Sequence, residues 1–248
     1  MKFLELVPKD LKTFTNEAKI AIKDFQFDGI NIPDINRLEI RSITASNHLF
    51  DSDFSNIPHI PALTKSKENI LEEISILINK GLKAVLIIKG EIPTNIFVKT
   101  YNQTSLDIIA EIKQNFNQID VYAALDPYRQ SLSDELNYCK KKINSGADGF
   151  FTQPFFDIQL AKIYLDQLKN TKLFMGVSPV CSERSYNYWI NKNKAIFPSN
   201  FSFDFAYNAK FANKMLELVE MYQQHSYLMP ITVNPIDYLT EIAKYQTI

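Results

Sequence analysis

Residues Gly149–Gln153 have the sequence Gly-Phe-Phe-Thr-Gln, a short apolar run that ends in two polar side chains. Apolar residues then recur at Leu160, Ile163, Tyr164 and Leu168, which is the spacing of one helix face. A short run of strand-forming residues followed by such a segment is typical of a strand and the helix after it. This stretch therefore predicts one β/α unit of a parallel sheet.

The same alternation extends in both directions along the chain. The predicted strands are Phe3–Val7, Gly29–Ile32, Ile57–Leu63, Ala84–Lys89, Ile119–Ala124, Gly149–Gln153, Leu173–Val177 and Leu228–Val233. Helical patterns lie between them, and a final helix is expected near Ile236–Tyr245. Barrels of this kind typically need about 250 residues. The 248 residues therefore predict a single (β/α)8 barrel domain, the TIM barrel, over residues 1–248.

An open, doubly wound sheet is the main alternative for this pattern. Such a sheet usually carries a Gly-rich turn after its first strand, where this chain has Val7–Asp10. The chain holds only six glycines and no Gly-rich phosphate-binding motif, which favours the barrel. The segment Ile190–Phe205, rich in Asn, Phe and Pro, predicts a long loop over one end of the barrel or a short helix.

Composition and charge exclude several classes of function. The net charge is -1 with scattered Lys and Arg, so neither nucleic acid nor an anionic membrane is an expected partner. Cys139 and Cys181 are isolated, which favours a reducing compartment, and the three histidines show no metal-binding spacing. The amino terminus does not resemble a signal peptide, and no apolar run reaches the ~20 residues of a membrane span. A cytoplasmic protein without a metal is predicted.

Polar side chains lie at the ends of the predicted strands, where barrels of this kind build their active sites. They are Glu5, Asn31, Asp34, His59, Lys89, Glu91, Asp126, Thr152, Gln153 and Asn234. Glu5 should face the barrel interior, because a carboxylate facing the helices would be costly. Each residue also has a structural explanation, such as an ion pair for Glu5 or a loop cap for Gln153. Lys89, at the end of the fourth strand, could be the Schiff-base lysine of an aldolase-like barrel.

Five segments together resemble the methylenetetrahydrofolate reductase family. The longest match, Asp134–Asp157, contains Gly-Ala-Asp, Thr-Gln and Phe-Asp in the order of the family's sixth-strand signature. The remaining matches are Phe3–Pro8 on the first strand, Asp28–Asp34 on the second, Pro58-His59 on the third and Gly176–Val180 on the seventh. The resemblance covers nearly the whole chain, and the sixth-strand signature is its most specific part.

Three segments depart from the family pattern. Lys89–Pro93 places Glu91 where the family usually has an aspartate followed by two prolines. Ala123–Pro127 lacks the Tyr-Pro-Glu of many members, and Pro235 stands where many members have a basic residue. These departures concern the loops that would meet flavin and folate.

The resemblance implies a reductase of one-carbon metabolism that leads toward methionine biosynthesis. A hydride would pass from NAD(P)H through FAD to 5,10-methylenetetrahydrofolate, which gives 5-methyltetrahydrofolate. Glu5 would protonate the folate and Glu91 would hold negative charge near the flavin. Gln153 would bind the pterin edge, and Trp189 would stack on the ligand. The implied FAD contacts are Asn31, His59, Lys89, Ser105, Glu135 and Lys142, the last of these toward the phosphates.

Two other functions remain open at this point. A folate- or flavin-binding barrel could act as a non-catalytic accessory subunit, which the Glu91 loop and Pro235 favour. A lyase or aldolase barrel could use Lys89 instead. The sequence is compatible with a homo-oligomer and does not distinguish NADH from NADPH.

Overall fold

The computed structural model describes residues 1–50, 54–93 and 97–246. In these ranges the strands are β1 (Lys2–Glu5), β2 (Gly29–Ile32), β3 (Asn56–Pro61), β4 (Ala84–Ile88), β5 (Asp120–Leu125), β6 (Gly149–Thr152), β7 (Leu173–Val177) and β8 (His225–Leu228). The helices are α1 (Leu11–Asp24), α2 (Ser42–Leu49), α3 (Lys67–Asn79), α4 (Ser105–Asn115), α5 (Leu132–Asn144), α6 (Ile158–Gln167), α7 (Glu183–Asn193), α8 (Phe205–Met221) and α9 (Pro235–Ala243). Neighbouring strands pair in parallel and β8 pairs with β1, so the sheet closes. The predicted (β/α)8 barrel is confirmed.

Alternation along each strand divides the core into two layers. One set of side chains packs between the strands and the surrounding helices, and the other fills the barrel interior. The interior is strongly aromatic: Phe151 and Phe174 stack with ring centroids 4.0 Å apart, and Tyr122 and Tyr227 meet Phe151 edge-on. This packed layer closes the barrel below its carboxyl end, so a ligand site must lie above it.

Most helices are preceded by a capping residue whose side chain accepts a hydrogen bond from a backbone N–H of the first turn. Thr104 and Asp107 form a reciprocal capping box at α4, and Asp157 caps α6 directly after the loop that follows β6. Asn234 caps α9, with Pro235 in its first turn. These caps fix where each loop after a strand ends, and those loops form the carboxyl end of the barrel.

The prediction of the strands was right for β2 and β7, whose bounds match, and wrong for β8. The predicted strand Leu228–Val233 is shifted, since β8 covers His225–Leu228. All four residues of β8, including the polar His225 and Ser226, pair with β7, while the apolar residues after Leu228 lie in the following loop. Apolar runs mark burial, and here the loop is apolar because Ile231 and Val233 line a cavity beside β1.

The segment Ile190–Phe205 is mainly a loop, which is the first of its two predicted alternatives, between the end of one helix and the start of the next. Its first residues belong to α7, which ends at Asn193 and is capped by Lys194 in the left-handed conformation, with φ of 59°. Residues 195–204 form a loop, and α8 begins at Phe205. Two helices therefore separate β7 from β8. No helix in the described part of the chain is both long and apolar enough to cross a membrane.

Candidate active site at the carboxyl ends of the strands

Glu5 is the last residue of β1, and its carboxyl group lies inside the barrel, as its sequence pattern predicts. The side chain is 7% exposed, and its Oε2 accepts a hydrogen bond from the Tyr227 hydroxyl of β8. Burial raises the pKa of Glu5 to about 7, and the hydrogen bond from Tyr227 opposes that rise. A cavity of about 160 Å³ adjoins Glu5 between the start of α1 and the loop after β8. The barrel thus holds a buried carboxylic acid that exchanges its proton near neutral pH.

Asn31 and His59 face the interior from β2 and β3, beside Glu5. The amide Oδ1 of Asn31 hydrogen-bonds the imidazole Nε2 of His59, which lies 4.0 Å from Glu5 Oε2. Burial lowers the pKa of His59 to about 4, although the carboxylate of Asp34 acts in the opposite direction. His59 is therefore neutral at pH 7, and its contact with Glu5 is not an ion pair. The amide Nδ2 of Asn31 is buried without a hydrogen-bond partner among the described residues.

The loop between β2 and α2 supports this cluster from behind. The Ser42 hydroxyl donates to the carbonyl oxygen of His59 at 2.5 Å and lies 3.1 Å from Asp34 Oδ2. Asp34 is almost fully buried and pairs with Arg41 through two guanidinium nitrogens. These contacts fix the end of β3 and therefore the position of the imidazole.

A second buried cluster lies between β5 and α5. Glu135 is fully buried and accepts hydrogen bonds from Arg129 at 2.6 Å and Gln130 at 2.7 Å. The Lys142 ammonium is 4.0 Å from Glu135 Oε1 and donates to the carbonyl oxygen of Ala124. Burial lowers the pKa of Lys142 to about 8, and the nearby Glu135 carboxylate limits the fall. Each charge in this cluster already has a partner.

Tyr138 links Ser105, another predicted cofactor contact, to this second cluster. Its hydroxyl lies 3.2 Å from Ser105 Oγ at the start of α4, and the Lys142 ammonium lies over its ring at 4.2 Å. Three predicted FAD contacts, Ser105, Glu135 and Lys142, are thus neighbours, and their role in binding FAD stays a prediction. Lys140 and Lys141 are exposed on the same helix.

Comparisons with known proteins identify the family to which this chain belongs. A family model described as methylenetetrahydrofolate reductase matches residues 36–219. The chain belongs to the methylenetetrahydrofolate reductase family. The matched range contains His59 and the cluster at α5, whereas Glu5 and Asn31 precede it. Their assignment therefore depends on the geometry described above and on the resemblance of the first two strands.

One curated relative is the 5,10-methylenetetrahydrofolate reductase of Buchnera aphidicola subsp. Schizaphis graminum (strain Sg). It is 23% identical over 190 residues, which cover 70% of this chain and 63% of the relative. The chain thus matches somewhat less than two thirds of the length of that reductase.

Solved structures with the same fold include enzymes of other classes. A 2,3-dimethylmalate lyase has a TM-score of 0.59 at 10% identity, with 98% of this chain and 78% of that chain covered. An oxaloacetate acetylhydrolase has a TM-score of 0.60 at 10% identity, with 96% and 77% covered. A putative deoxyribose-phosphate aldolase from Toxoplasma gondii ME49 has a TM-score of 0.57 at 10% identity, with 100% and 94% covered. At such identities the likeness concerns the barrel alone.

Lys89 and Glu91, which depart from the family pattern, lie on the surface. Lys89 is exposed after the end of β4. Glu91 is 64% exposed, and its carboxylate pairs with Lys192 of α7 at 3.3 Å. Its carbonyl oxygen accepts from Asn36 Nδ2, also at 3.3 Å. The Glu91 loop therefore connects the segments after β2 and β7 across the carboxyl end of the barrel.

The two predicted folate contacts differ in their surroundings. Gln153 is partly exposed after β6, and its backbone N–H donates to the Leu125 carbonyl oxygen at 2.7 Å. Trp189 is only 4% exposed and packs edge-on against Phe156, with ring centroids 5.3 Å apart. The Gln153 side chain is accessible to a ligand in this conformation, whereas most of the Trp189 ring is covered by protein. The stacking role of Trp189 stays a prediction.

The structure adds two residues to the site that sequence reasoning did not assign to it. Tyr227 was missed because the eighth strand was placed too late in the chain. Ser42 lies beyond the second-strand match Asp28–Asp34, and no contact was assigned to it. In residues 1–50, 54–93 and 97–246, no group of three or more His, Cys, Asp or Glu side chains is arranged to hold a metal ion.

Proposed function

We propose that this protein reduces 5,10-methylenetetrahydrofolate to 5-methyltetrahydrofolate, using a hydride that FAD receives from NAD(P)H. The observation that carries the proposal is the buried Glu5, whose pKa of about 7 suits a general acid at neutral pH. Membership of the family supports the substrate. The two free cysteines favour a reducing compartment, and we propose that the protein works in the cytoplasm.

Glu5 supplies the proton that opening of the folate ring requires. Because burial raises the pKa of Glu5 to about 7, Glu5 retains a protonated population near neutral pH. The proton moves from the carboxyl oxygen to N10 of the folate, and the N10–methylene bond breaks as the ring opens to an iminium cation. The carboxylate that remains is close to this cation and lowers its energy. Neutral His59 does not compete for this role, because its pKa of about 4 leaves it unprotonated.

The residues around Glu5 fit a flavin or pterin ring. The Asn31 Nδ2 group is a buried donor without a partner among the described residues, and a ring carbonyl oxygen would satisfy it. Asn31 and His59 would hold the ring edge, and Gln153 would bind the pterin from the side of β6. When bound, FAD supplies the hydride chemistry.

The phosphates of FAD need donors that are not already engaged. The Lys142 ammonium donates to the Ala124 carbonyl oxygen and lies 4.0 Å from Glu135, so a phosphate would have to share it with these partners, and its phosphate contact stays a prediction. Lys89 is exposed at the carboxyl end of β4, and we propose it for that contact. The exposure of Lys89 also disfavours the aldolase reading, because a Schiff-base lysine is activated by desolvation or by a neighbouring cation.

Two half-reactions under anaerobic conditions test the proposal. The protein is purified with FAD supplied, and we expect a yellow protein whose flavin band bleaches with NADH or NADPH. Added 5,10-methylenetetrahydrofolate should then restore the band and give 5-methyltetrahydrofolate. A colourless protein without affinity for flavin would refute the flavin-dependent reaction. A yellow protein that is reduced by neither nicotinamide, or that never reoxidises with the folate, would indicate an accessory binding barrel.

A further inference from the structure

The hydrogen bond between Tyr227 and Glu5 joins the two strands that close the barrel. The phenol hydroxyl of Tyr227 on β8 donates to Glu5 Oε2 on β1. Both residues are buried, with Tyr227 2% exposed and Glu5 7% exposed. Glu5 therefore has one carboxyl oxygen, Oε2, that is occupied by a donor.

The register of the barrel explains why a tyrosine is needed at this position. Tyr227 is paired with Phe3, two residues before Glu5 on the same face of β1. Two residues of a parallel strand span roughly 6.6 Å. The phenol ring is long enough to place its hydroxyl one interior layer above its own Cα, and a serine or threonine at residue 227 would be too short.

Packing holds the phenol ring in place. Tyr227 meets Phe151 edge-on at 5.0 Å, and Phe151 stacks on Phe174. Burial and the Glu5 carboxylate raise the pKa of Tyr227 well above its usual value, so the hydroxyl keeps its proton and remains a donor. The donor is thus fixed in both position and protonation state.

We propose that Tyr227 is a positioning residue for the acid: it fixes Oε2 of Glu5 and directs the transferable proton to Oε1. This inference rests on the proposed role of Glu5 as the acid. In the acid form the O–H bond is at Oε1, because Oε2 already accepts the Tyr227 proton. Transfer to the substrate breaks that bond and leaves a carboxylate, whose charge the Tyr227 hydrogen bond stabilises.

Other groups also face Glu5 and could influence its titration. The imidazole of His59 from β3 lies 4.0 Å away and is neutral at pH 7, since burial lowers its pKa to about 4. Asn31 on β2 reaches His59 and carries no charge. Lys9, Asp10 and Glu17 line the same cavity from the α1 side. Of these groups, His59 alone forms a polar contact with Glu5 in addition to Tyr227.

The first test measures the ionisation of Glu5 without any reaction. Infrared titration of the carboxyl C=O band, assigned by its loss in Glu5→Gln, should give a midpoint near pH 7, the pKa of about 7 given by burial. Tyr227→Phe removes the hydroxyl and keeps the ring. Loss of a hydrogen bond to a charged group should raise the midpoint by roughly one pH unit. An unchanged midpoint in a folded Tyr227→Phe protein would overturn the inference.

Tyr122→Phe is the matched control. Tyr122 belongs to the same aromatic layer and meets Phe151 at 5.4 Å, but its hydroxyl bonds Asp120 at the other end of the barrel. Removal of that hydroxyl should leave the Glu5 midpoint unchanged. An equal shift in both variants would mean that loosened packing, rather than the hydrogen bond, sets the titration.

A site-specific 3-fluorotyrosine at residue 227 tests the inference even where Tyr227→Phe does not fold. The fluorinated phenol keeps the shape of the side chain and is a stronger donor, so the Glu5 midpoint should move down. A midpoint that does not move, or moves up, would overturn the inference.

The pH profile of the folate half-reaction is the second measurement. In Tyr227→Phe the decline at high pH should shift upward with the carboxyl midpoint, and the maximal rate should fall about tenfold because the acid is less well placed. Tyr122→Phe should change neither. If the midpoint moves but no protein reduces the folate, Tyr227 still positions Glu5 and the proposed function is wrong. If the folate is reduced and the midpoint does not move, the positioning role is wrong and the function stands.

Discussion

The cluster around Glu5 and the cluster around Glu135 both bury an acid, but only one of them neutralises its charge. Glu135 accepts from Arg129 and Gln130 and lies near the Lys142 ammonium. Glu5 has a tyrosine hydroxyl and a neutral imidazole beside it. A buried acid with cationic partners typically has a structural role. A buried acid without such partners has a raised pKa, which indicates a catalytic role. The two clusters should therefore respond in opposite ways to the same substitution.

Replacement of Glu5 by Gln should have the largest effect on activity. The amide keeps the shape of the side chain but carries no transferable proton, and general acid catalysis typically contributes about 10²–10⁴-fold. Stopped-flow reoxidation of the reduced flavin by the folate should slow by that factor, while flavin reduction by NAD(P)H should survive. Glu17→Gln, which changes another acid of the same cavity, is the control and should keep both rates. Normal folate reduction in a folded, flavin-bound Glu5→Gln protein would refute the assignment.

The same change at Glu135 should affect stability most. Glu135→Gln removes the nearest counter-charge of the buried Lys142 ammonium, and breaking a buried ion pair typically costs about 3–5 kcal/mol. Urea unfolding at pH 7 measures this loss. Asp134→Asn, an exposed neighbour on the same helix, should cost less than about 1 kcal/mol. Equal stabilities for Glu135→Gln and the wild-type protein would show that Glu135 is not the partner that keeps Lys142 buried.

The pH dependence of stability separates Glu5 from His59. The pKa of Glu5 is raised from 4.5 to about 7 on folding, so the stability that it contributes in the acid form is lost as pH rises through that window. The pKa of His59 is lowered from 6.5 to about 4, so its contribution is lost as pH falls through that window. Each shift corresponds to about 3 kcal/mol. Between pH 4.5 and 6.5 the Glu5 and His59 contributions therefore change the free energy of unfolding with pH in opposite directions.

Single variants should reveal these two opposed slopes. Relative to wild type, Glu5→Gln should become progressively more stable as pH rises from 4.5 to 7, because only the wild type then loses the Glu5 contribution. His59→Gln should become progressively more stable, relative to wild type, as pH falls from 6.5 to 4. Urea titrations at each pH measure the differences. A difference that is constant with pH would show that the group titrates alike in the folded and unfolded states.

Sequence reasoning reached the barrel and its inner acid because both depend on local pattern. Apolar runs between helical segments predict the strands, and a lone carboxylate in an apolar strand must face the interior, as Glu5 does. The Tyr227 contact could not be predicted in this way. It depends on the register between β8 and β1, which are far apart in the chain, and β8 begins with the polar pair His225-Ser226.

The burial of Lys142 was not predictable from its neighbours in the chain. Lys140–Lys142 form one basic run, and the helix turns only the third lysine toward the strands. Its partner Glu135 lies two turns earlier on α5, and long helical side chains lean toward the amino end, so the two meet. Arg129 then reaches Glu135 from the preceding loop, whose path the sequence does not specify.

Replacement of the exposed Glu91 by Gln should have the smallest effect of the three acid substitutions, on both stability and activity. Glu91 and Lys192 are 64% and 62% exposed, and exposed ion pairs contribute about 0–1 kcal/mol. Glu91→Gln should therefore change stability little, and high salt should erase the difference by screening the pair. From the exposed position we also expect the folate half-reaction to slow less than about threefold, because water weakens the effect of a surface charge on the cation. Lys192→Met is the matched control and should have the same small effect on stability. A tenfold or larger loss in Glu91→Gln alone would show that its charge acts at the reacting folate, and would add a second acid to the site of Glu5.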